Sequence, residues 1–463
     1  MMQDHSHHKG REVYRFDFSN APVQAELEHY YWVDDSQLSH AFSSSLPTRL
    51  ADLVDLAMSV YYADRRAVRV RSPYVPTGLR DFDIRLPVRD LELWRESGVA
   101  TRLANLLYWF TEDRWTFTFI SRRTPPRPSE TEQYLSLWPE QQPNITVLFS
   151  GGLDSLAGMV TQLERYRDYS FILLSGCTHT RMAAIQLDLV QALRRHWHNI
   201  SRELISIRVP LGIHKPQGAS REEVSQRSRG FVFLLLGAVA AVMARSQSLW
   251  VCENGVGAIN LWLNEGQLGI DNARGVHPLS LIHMSEFLNL ILQQPLRIDN
   301  PFQFSTKVQM CQPLKRLSLD NLITRTVSCD SFPLRIRGVP QCGLCTSCLL
   351  RRLALHAADL EHVDLGEGYR YDVKSSLAGV DEKRMYPLWA TLDHVDRLRD
   401  CLSSESAWET LTETFPELLE IQEETVRHKD GNLQEIANAY VQMYRTYVTE
   451  WERFPLGALA TTM

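Results

Sequence analysis

Between residues 144 and 252, short runs of apolar, β-branched residues alternate with longer segments whose apolar residues recur at helical spacing. The runs predict strands over 145–149, 171–174, 204–209 and 249–252 and helices over 153–167, 181–197 and 228–245. Such alternation is typical of a parallel sheet with helices on both faces, where ligands bind at the carboxyl ends of the strands. The predicted fold class is therefore α/β, with a doubly wound parallel sheet.

The flanking regions have other patterns. Alternation over 11–18 and 115–120 predicts strands, and apolar residues at helical spacing behind Pro47 predict a helix between them. Residues 124–128 are rich in proline and predict a linker. Beyond residue 365 the chain is charged with helical periodicity. We predict an N-terminal α+β domain (1–140), the α/β domain (144–365) and a helical C-terminal extension (366–463).

Composition and charge exclude several classes of protein. The 463 residues are 44% hydrophobic and 22% charged, which is typical of a folded globular chain. A net charge of -6 gives no global attraction for nucleic acid or anionic membranes. The longest apolar run, residues 231–244, is shorter than the roughly 20 residues that cross a bilayer, and predicts a buried helix. The N-terminus lacks the apolar segment of a signal peptide, so we expect a cytoplasmic protein without a membrane partner.

The strongest chemical signal is a glycine loop between the first predicted strand and helix of the α/β region. It consists of Ser150, Gly151, Gly152, Leu153, Asp154 and Ser155. Glycines allow close backbone approach to a phosphate, and the free N–H groups and dipole of the helix N-terminus attract it. The alternative is an ordinary turn with a serine helix cap. Asp154, which would repel a bare phosphate, is expected at the loop surface, where it helps hold Mg²⁺ or orients the loop.

This loop lacks the lysine of a Walker A motif but resembles the PP-loop of the N-type ATP pyrophosphatases. The resemblance implies that ATP is bound through its β and γ phosphates, with Mg²⁺. It further implies that AMP is transferred to a substrate oxygen and pyrophosphate is released.

Four of the eight cysteines crowd together at Cys329, Cys342, Cys345 and Cys348. Four thiolates form a closed tetrahedral shell for a structural Zn²⁺, and an iron–sulfur cluster is the main competitor. The other cysteines, at positions 177, 252, 311 and 401, lack such spacing and are predicted to be buried small hydrophobic residues.

A PP-loop followed about 175 residues later by C-x12-C-x2-C-x2-C-x2-R, which ends at Arg351, resembles the 7-cyano-7-deazaguanine synthase (QueC) family over roughly residues 144–358. The N-terminal and C-terminal regions of this chain are additional to that compact enzyme. Residues 253–278 look more like the longer QueC-like proteins of bacterial anti-phage systems. The resemblance implies adenylation of a 7-carboxy-7-deazaguanine-like carboxylate, followed by amide formation with an amine.

The resemblance and the predicted sheet edge together nominate further site residues. Substrate contacts are expected from Arg227, Arg229, Glu253, Arg274 and His277. Arg229 and Lys307 are expected beside Asp154 in the catalytic group, with Lys307 neutralising phosphate charge. For His277, a structural role before proline is an equal alternative.

The sequence does not decide which amine is the acceptor or which partners the protein binds. The terminal regions favour a protein partner encoded nearby, whose N-terminus would be the amine, and a homodimer stays open. Ammonia, with a nitrile product as in queuosine-type biosynthesis, is the alternative. A tRNA thiolase would want a cysteine pair at the active site and a basic RNA-binding surface, and a non-catalytic scaffold would not need an intact glycine loop.

Overall fold

A computed structural model describes the chain over residues 6–8, 11–19, 27–69, 78–132, 143–197, 204–214, 222–225, 227–263, 274–332, 338–364, 368–375, 377–429 and 431–457. The elements of the first part are β1 (Ser6–His8), β2 (Arg11–Asp17), β3 (Tyr31–Val33), α1 (Ser36–Phe42), α2 (Thr48–Arg66), β4 (Arg80–Val88), α3 (Leu91–Trp94), α4 (Val99–Thr111), β5 (Arg114–Ser121) and α5 (Pro128–Thr131).

The middle part contains β6 (Asn144–Leu148), α6 (Leu153–Arg165), β7 (Ser170–Cys177), α7 (Thr180–His196), β8 (Leu204–Ile213), α8 (Arg229–Met243), β9 (Ser248–Val251), α9 (Gly255–Ile259), α10 (Pro278–Leu292), β10 (Arg297–Asp299), α11 (Lys307–Arg316), a 3-10 helix (Asp320–Arg325), α12 (Thr346–Ala357) and α13 (Glu361–Asp364). The last part contains α14 (Glu382–Ser403), α15 (Ala407–Thr414), α16 (Glu417–Lys429) and α17 (Leu433–Glu452). The predicted strands and helices are confirmed, with shifts of a few residues at their ends.

The central sheet has six strands in the order β10-β9-β6-β7-β8-β3. Its first five strands are parallel, and β3 pairs antiparallel with β8 at the edge. Successive side chains of β7 enter different cores: Phe171 and Leu173 belong to one, Ile172 and Leu174 to the other. A strand buried on both faces needs a continuous apolar run, which explains its sequence. The predicted α/β class with a mostly parallel sheet is confirmed.

The first 132 residues build a second sheet, in the order β1-β2-β4-β5, of which β2, β4 and β5 are parallel. In β5 the alternate residues Trp115, Phe117 and Phe119 are buried, as the period of two predicts. The long helix α2 packs against α8, and one continuous hydrophobic core includes residues of both. The N-terminal region thus also covers the central sheet, while the two predicted domain boundaries stay predictions.

Within residues 124–128, predicted as a linker, Arg127 is anchored to this N-terminal region, while the three prolines are exposed. The Arg127 side chain is mostly buried and forms ion pairs with Asp55 and, at 2.9 Å, with Asp35. A local proline-rich pattern cannot show that Arg127 will pair with carboxylates as distant in sequence as Asp35 and Asp55.

The helix predicted from the longest apolar run is α8, which is buried between the sheet and α2. Among the residues that the structure describes, no helix combines the length and the apolar character that a membrane span requires. The helical periodicity beyond residue 365 is confirmed by α14–α17, whose apolar faces meet around Leu398, Tyr440 and Tyr444.

Candidate functional site

The glycine loop joins the carboxyl end of β6 to the N-terminus of α6. Gly151 has a φ of +82°, a left-handed conformation that favours glycine, and a Cβ there would make a tight 3.1 Å contact with the Ile185 side chain. The Gly151 N–H donates to Ser155 Oγ at 3.1 Å, and the Gly152 N–H donates to Ser150 Oγ at 3.2 Å. The two serine hydroxyls therefore hold the loop closed across the start of the helix.

Gln186, on the neighbouring helix α7, fixes the loop from the other side. Its Nε2 donates to the carbonyl oxygens of Phe149 at 3.3 Å and Ser150 at 3.2 Å. The sequence pattern does not indicate this role, because a glutamine in a predicted amphipathic helix gives no signal of what it will contact.

Three predicted residues, Asp154, Glu253 and Lys307, meet beside the loop. Lys307 Nζ lies 2.5 Å from Asp154 Oδ2. Asn254 Nδ2 bridges the two acids, at 3.1 Å from Asp154 Oδ1 and 2.8 Å from Glu253 Oε1. Residues from α6, from the end of β9 and from the start of α11 are thus joined at one sheet edge, the place that parallel topology predicts.

Asp154 was expected at the surface of the loop, and this expectation is wrong. The residue is only 8% exposed, because α9 and α11 cover it and supply Asn254 and Lys307 as partners. The loop motif shows that position 154 carries a carboxylate, but it does not show that the Lys307 ammonium group will neutralise this charge.

Burial and mutual charge shift the titration of this cluster. Burial raises the pKa of Glu253 to about 8, the adjacent Asp154 carboxylate adds to the rise, and Lys307 opposes it. Burial alone would lower the pKa of Lys307, but Asp154 and Glu253 outweigh it and the pKa is raised. At neutral pH Lys307 is therefore charged, and the Glu253 carboxyl group binds a proton readily.

The cluster and the loop line one side of a cavity of about 620 Å³. Ser328, Asp330 and Ser347, beside the four cysteines, form another wall. The C-terminal helices contribute Thr391 and His394 from α14 and Tyr447 from α17. No residue of these helices was predicted for the site, because their sequence pattern is that of ordinary amphipathic packing.

Arg227 and Arg274, predicted as substrate contacts, are paired with the N-terminal region. Arg227 Nη1 lies 2.8 Å from a carboxylate oxygen of Glu112. Arg274 Nη1 donates to the carbonyl of Trp109 at 2.8 Å, and its guanidinium stacks on that indole. Neither arginine is among the described residues that line the cavity.

Arg229 and His277 are likewise placed outside the cavity lining that the structure describes. Arg229 lies over the Phe233 ring, and burial lowers its pKa. The His277 Nδ1 accepts from the Leu279 N–H at 3.2 Å and caps α10, while burial lowers the pKa of the imidazole to about 3. The structure thus gives His277 the structural role that was its alternative, and substrate contact by these residues stays a prediction.

The four cysteines converge as predicted, and their sulfur atoms all lie within 4.8 Å of one another. The Cys342–Cys348 and Cys345–Cys329 sulfur pairs are 3.9 and 4.0 Å apart, close to the ~3.8 Å edge of a tetrahedron with Zn–S bonds of 2.3 Å. The neighbouring thiols hold the pKa of Cys342 below its ordinary value. This group could hold a metal ion such as zinc.

Two further features shape the cysteine segment. Gly343 has a φ of +90°, and any Cβ there would collide with the carbonyl of Tyr371. Arg351, at the end of the motif, is fully buried, with Asp364 at 2.9 Å and the Thr326 hydroxyl at 2.7 Å. It ties α12 to the 3-10 helix and its flank, so its role is structural.

The other four cysteines are buried, as predicted. Two of them, Cys252 and Cys311, lie near Asp154, and burial raises the pKa of both thiols, that of Cys311 to about 12. They are therefore poor nucleophiles at neutral pH.

No protein-family model matches the chain, and no curated protein matches it.

Proposed function

We propose that the protein is an ATP-dependent ligase that adenylates a carboxylate and then forms a carbon–nitrogen bond, with release of AMP and pyrophosphate. The observation that carries the proposal is the pairing of a closed glycine loop at a helix N-terminus with the buried Asp154, Glu253 and Lys307 at one cavity. The N–H groups in the first turn of α6 supply donors for phosphate oxygens, and the lysine supplies positive charge for the leaving pyrophosphate.

The proposed chemistry has two balanced steps. A carboxylate oxygen of the substrate attacks the α-phosphorus of ATP, the bond to the β-phosphate oxygen breaks, and pyrophosphate leaves. An amine nitrogen then attacks the acyl carbon, the bond to AMP breaks, and the amine loses a proton. Asp154 and Glu253 are the oxygen ligands that would hold Mg²⁺, which neutralises phosphate charge when bound.

For the substrate we propose a 7-deazaguanine carboxylate, on the resemblance of the loop and cysteine motifs to the QueC family and its anti-phage relatives. The acceptor in this proposal is a protein amine, such as the N-terminus of a partner from the same operon, within bacterial defence. A cavity walled in part by the C-terminal helices supports an acceptor larger than ammonia, since the compact synthase lacks them.

The alternatives have less support. A tRNA thiolase needs a reactive cysteine pair, whereas the two cysteines near Asp154 are buried thiols with raised pKa values. A binding scaffold would not need the buried lysine paired with Asp154, because an unreactive site loses nothing by replacing such a pair with apolar residues.

The test supplies ATP, Mg²⁺ and 7-carboxy-7-deazaguanine and measures the nucleotide products. AMP and pyrophosphate are expected, and ADP as the main product would contradict the assignment. A second arm compares ammonium with the proteins encoded beside this gene, read by mass spectrometry. A fixed mass increment on one partner protein supports a protein acceptor. Formation of the free nitrile with ammonium, with no partner protein modified, would instead support a 7-cyano-7-deazaguanine synthase.

A further inference from the structure

The chain between β10 and α11, residues 300–306, leads directly into the lysine of the candidate site, because Lys307 is the first residue of α11. This 300–306 segment also contacts the chain at the second acid of the site. Asn300 Nδ2 donates to the backbone carbonyl of Glu253 at 2.7 Å. The position of the segment therefore helps to set the distance between Lys307 and Glu253.

The helix α17 holds the end of the 300–306 segment through one buried hydrogen bond. Thr306, the N-cap of α11, is fully buried, and its hydroxyl donates to Glu450 Oε1 at 2.6 Å. The same hydroxyl oxygen accepts from the Gln309 N–H at 3.3 Å, and the Gln309 side chain accepts from the Thr306 N–H at 2.9 Å. Thr306 thus caps the first turn of α11 and is at the same time bonded to a carboxyl group 144 residues away.

Gln303 forms a second attachment of this segment to the C-terminal helices. Its Nε2 donates to the Tyr440 hydroxyl of α17 at 2.5 Å and to Thr425 Oγ1 of α16 at 3.2 Å, and its Oε1 accepts from Lys429 Nζ at 2.9 Å. Gln303, Tyr440 and Thr425 are all buried. Buried polar atoms are costly to leave without partners, so these bonds hold the segment in one position.

Close packing at Gly255 brings α17 against both parts of the site. A Cβ on this residue, at the start of α9, would lie 2.1 Å from the Gln303 carbonyl oxygen and 2.4 Å from Met443 Sδ of α17. The 300–306 segment is therefore packed between α17 and the chain two residues beyond Glu253, with no room for a side chain.

The two ends of Lys307 are thus fixed by different parts of the chain. Asp154 pairs with its ammonium group, whereas the capped first turn of α11 fixes its backbone. We propose that Glu450 is a positioning residue, which acts through Thr306 to hold that first turn so that the ammonium group lies where pyrophosphate departs. The role of Lys307 rests on the proposed function, but the contact of Glu450 with α11 does not. The C-terminal extension therefore completes the catalytic site, in addition to any partner that it binds.

The experiment compares Glu450→Leu, which removes the acceptor for the Thr306 hydroxyl, with Glu450→Gln, whose amide oxygen can still accept this bond. Amide hydrogen exchange is measured over residues 304–312, with α14 as the reference for stability elsewhere. We expect Glu450→Leu to exchange about tenfold faster than the wild type in the first turn of α11 and no faster in α14. Glu450→Gln should exchange no faster than the wild type in either helix. Glu452→Leu, an exposed change on the same helix, is the matched control.

Initial rates of pyrophosphate release are then measured on the same proteins. In Glu450→Leu we expect kcat to fall about tenfold while the KM for ATP stays within about twofold, because Lys307 acts on charge that develops as pyrophosphate leaves. Glu450→Gln should stay within about threefold of the wild-type kcat, and Glu452→Leu should match it.

Unchanged exchange in α11 of Glu450→Leu would overturn the proposal, and so would faster exchange in α14 as well, which would show a role in stability alone. A wild-type kcat in Glu450→Leu, or an equal loss in Glu450→Gln, would also overturn it. If Glu450→Leu does not fold, Thr306→Val and Thr306→Ser replace the pair. If exchange changes as expected but the wild type releases no pyrophosphate, the proposed ligase fails while the hold of Glu450 on α11 stands.

Discussion

At the scale of single residues, Asp154 and Lys307 form a buried ion pair that the glycine-loop motif does not predict. A carboxylate removed from water is tolerated because an ammonium 2.5 Å away and the Asn254 amide compensate it. The same pairing holds the lysine beside the glycine loop, where the proposed reaction needs positive charge.

Replacing Asp154 by Asn is expected to lower pyrophosphate release by about 100-fold or more, because it removes a charge that positions Lys307. It should also lower the free energy of unfolding by about 1–3 kcal/mol, since Lys307 keeps only Glu253 as a nearby acid. Initial rates and urea unfolding measure the two effects. Asp188→Asn is the control, as Asp188 pairs with Arg325 at the surface. Wild-type rates in Asp154→Asn would remove the residue from the site.

A second residue-scale effect concerns Glu450 on α17, which accepts a hydrogen bond from the Thr306 hydroxyl at 2.6 Å. Burial raises its pKa to about 7, although the Thr306 bond opposes the rise. Between about pH 4.5 and 7 the folded state binds more protons than the unfolded state, so stability falls as pH rises through this window.

Glu450→Gln should therefore be more stable than the wild type above pH 7, by at most about 3 kcal/mol, and equal to it below pH 4.5. Thermal melts across pH 4–8 measure the difference. Glu452→Gln, an exposed change on the same helix, should follow the wild-type profile. A constant offset between Glu450→Gln and the wild type at all pH values would contradict the assignment.

At the scale of elements, the segment that carries Cys329, Cys342, Cys345 and Cys348 also forms part of the cavity wall. Three of its cysteines precede α12 and Cys348 lies in the first turn of that helix. The adjacent Ser347 and Asp330 line the cavity at 2.6 Å from each other. A metal held by the four thiolates would therefore stabilise a wall of the candidate site as well as the segment itself.

Metal analysis should find about one zinc per chain, and Cys345→Ser should lose zinc and unfold at lower temperature, because structural metal binding is part of the folding free energy. Cys401→Ser, a buried cysteine outside the cluster, is the matched control and should retain the metal. Brown protein with bound iron would favour a cluster instead, and unchanged stability of Cys345→Ser would show that the site is dispensable.

At the scale of the whole molecule, the N-terminal region and the sheet domain are joined by buried polar contacts as well as a shared core. Asp64 on α2 accepts from the Ser228 hydroxyl at 2.7 Å, at the head of α8, and pairs with Arg80 at 2.5 Å. Glu112 pairs with Arg227 and with Arg274, and Arg274 precedes the cavity residue Gly275 in the chain.

We expect one unfolding transition that includes both regions. Asp64→Asn should lower the free energy of unfolding by about 1–3 kcal/mol, since it removes one of the two buried carboxylates that pair with Arg80 and leaves Asp113. Differential scanning calorimetry measures this. Asp83→Asn, in an exposed pair with Arg15, should have little effect. Two separate transitions, only one of them shifted, would show that the N-terminal region folds independently.

The sequence by itself determined the local features of this protein. Apolar periodicity located β6–β9 and α6–α8, and the glycine spacing and cysteine spacing located the loop and the metal-binding group, because each depends on neighbours in the chain. The loop motif brought Asp154 forward, and the edge at which parallel strands end brought Glu253 forward. Lys307 was predicted from the resemblance to the QueC family.

Only the tertiary structure decided the long-range partners. Arg227 and Arg274 are turned toward Glu112, 115 or more residues away in sequence, and His394 reaches the cavity from the C-terminal helices. A charged or polar side chain on a helix has the same local pattern whether it meets water, a ligand or a distant carboxylate. The packing of the helices against the sheet makes that choice, and no local pattern encodes it.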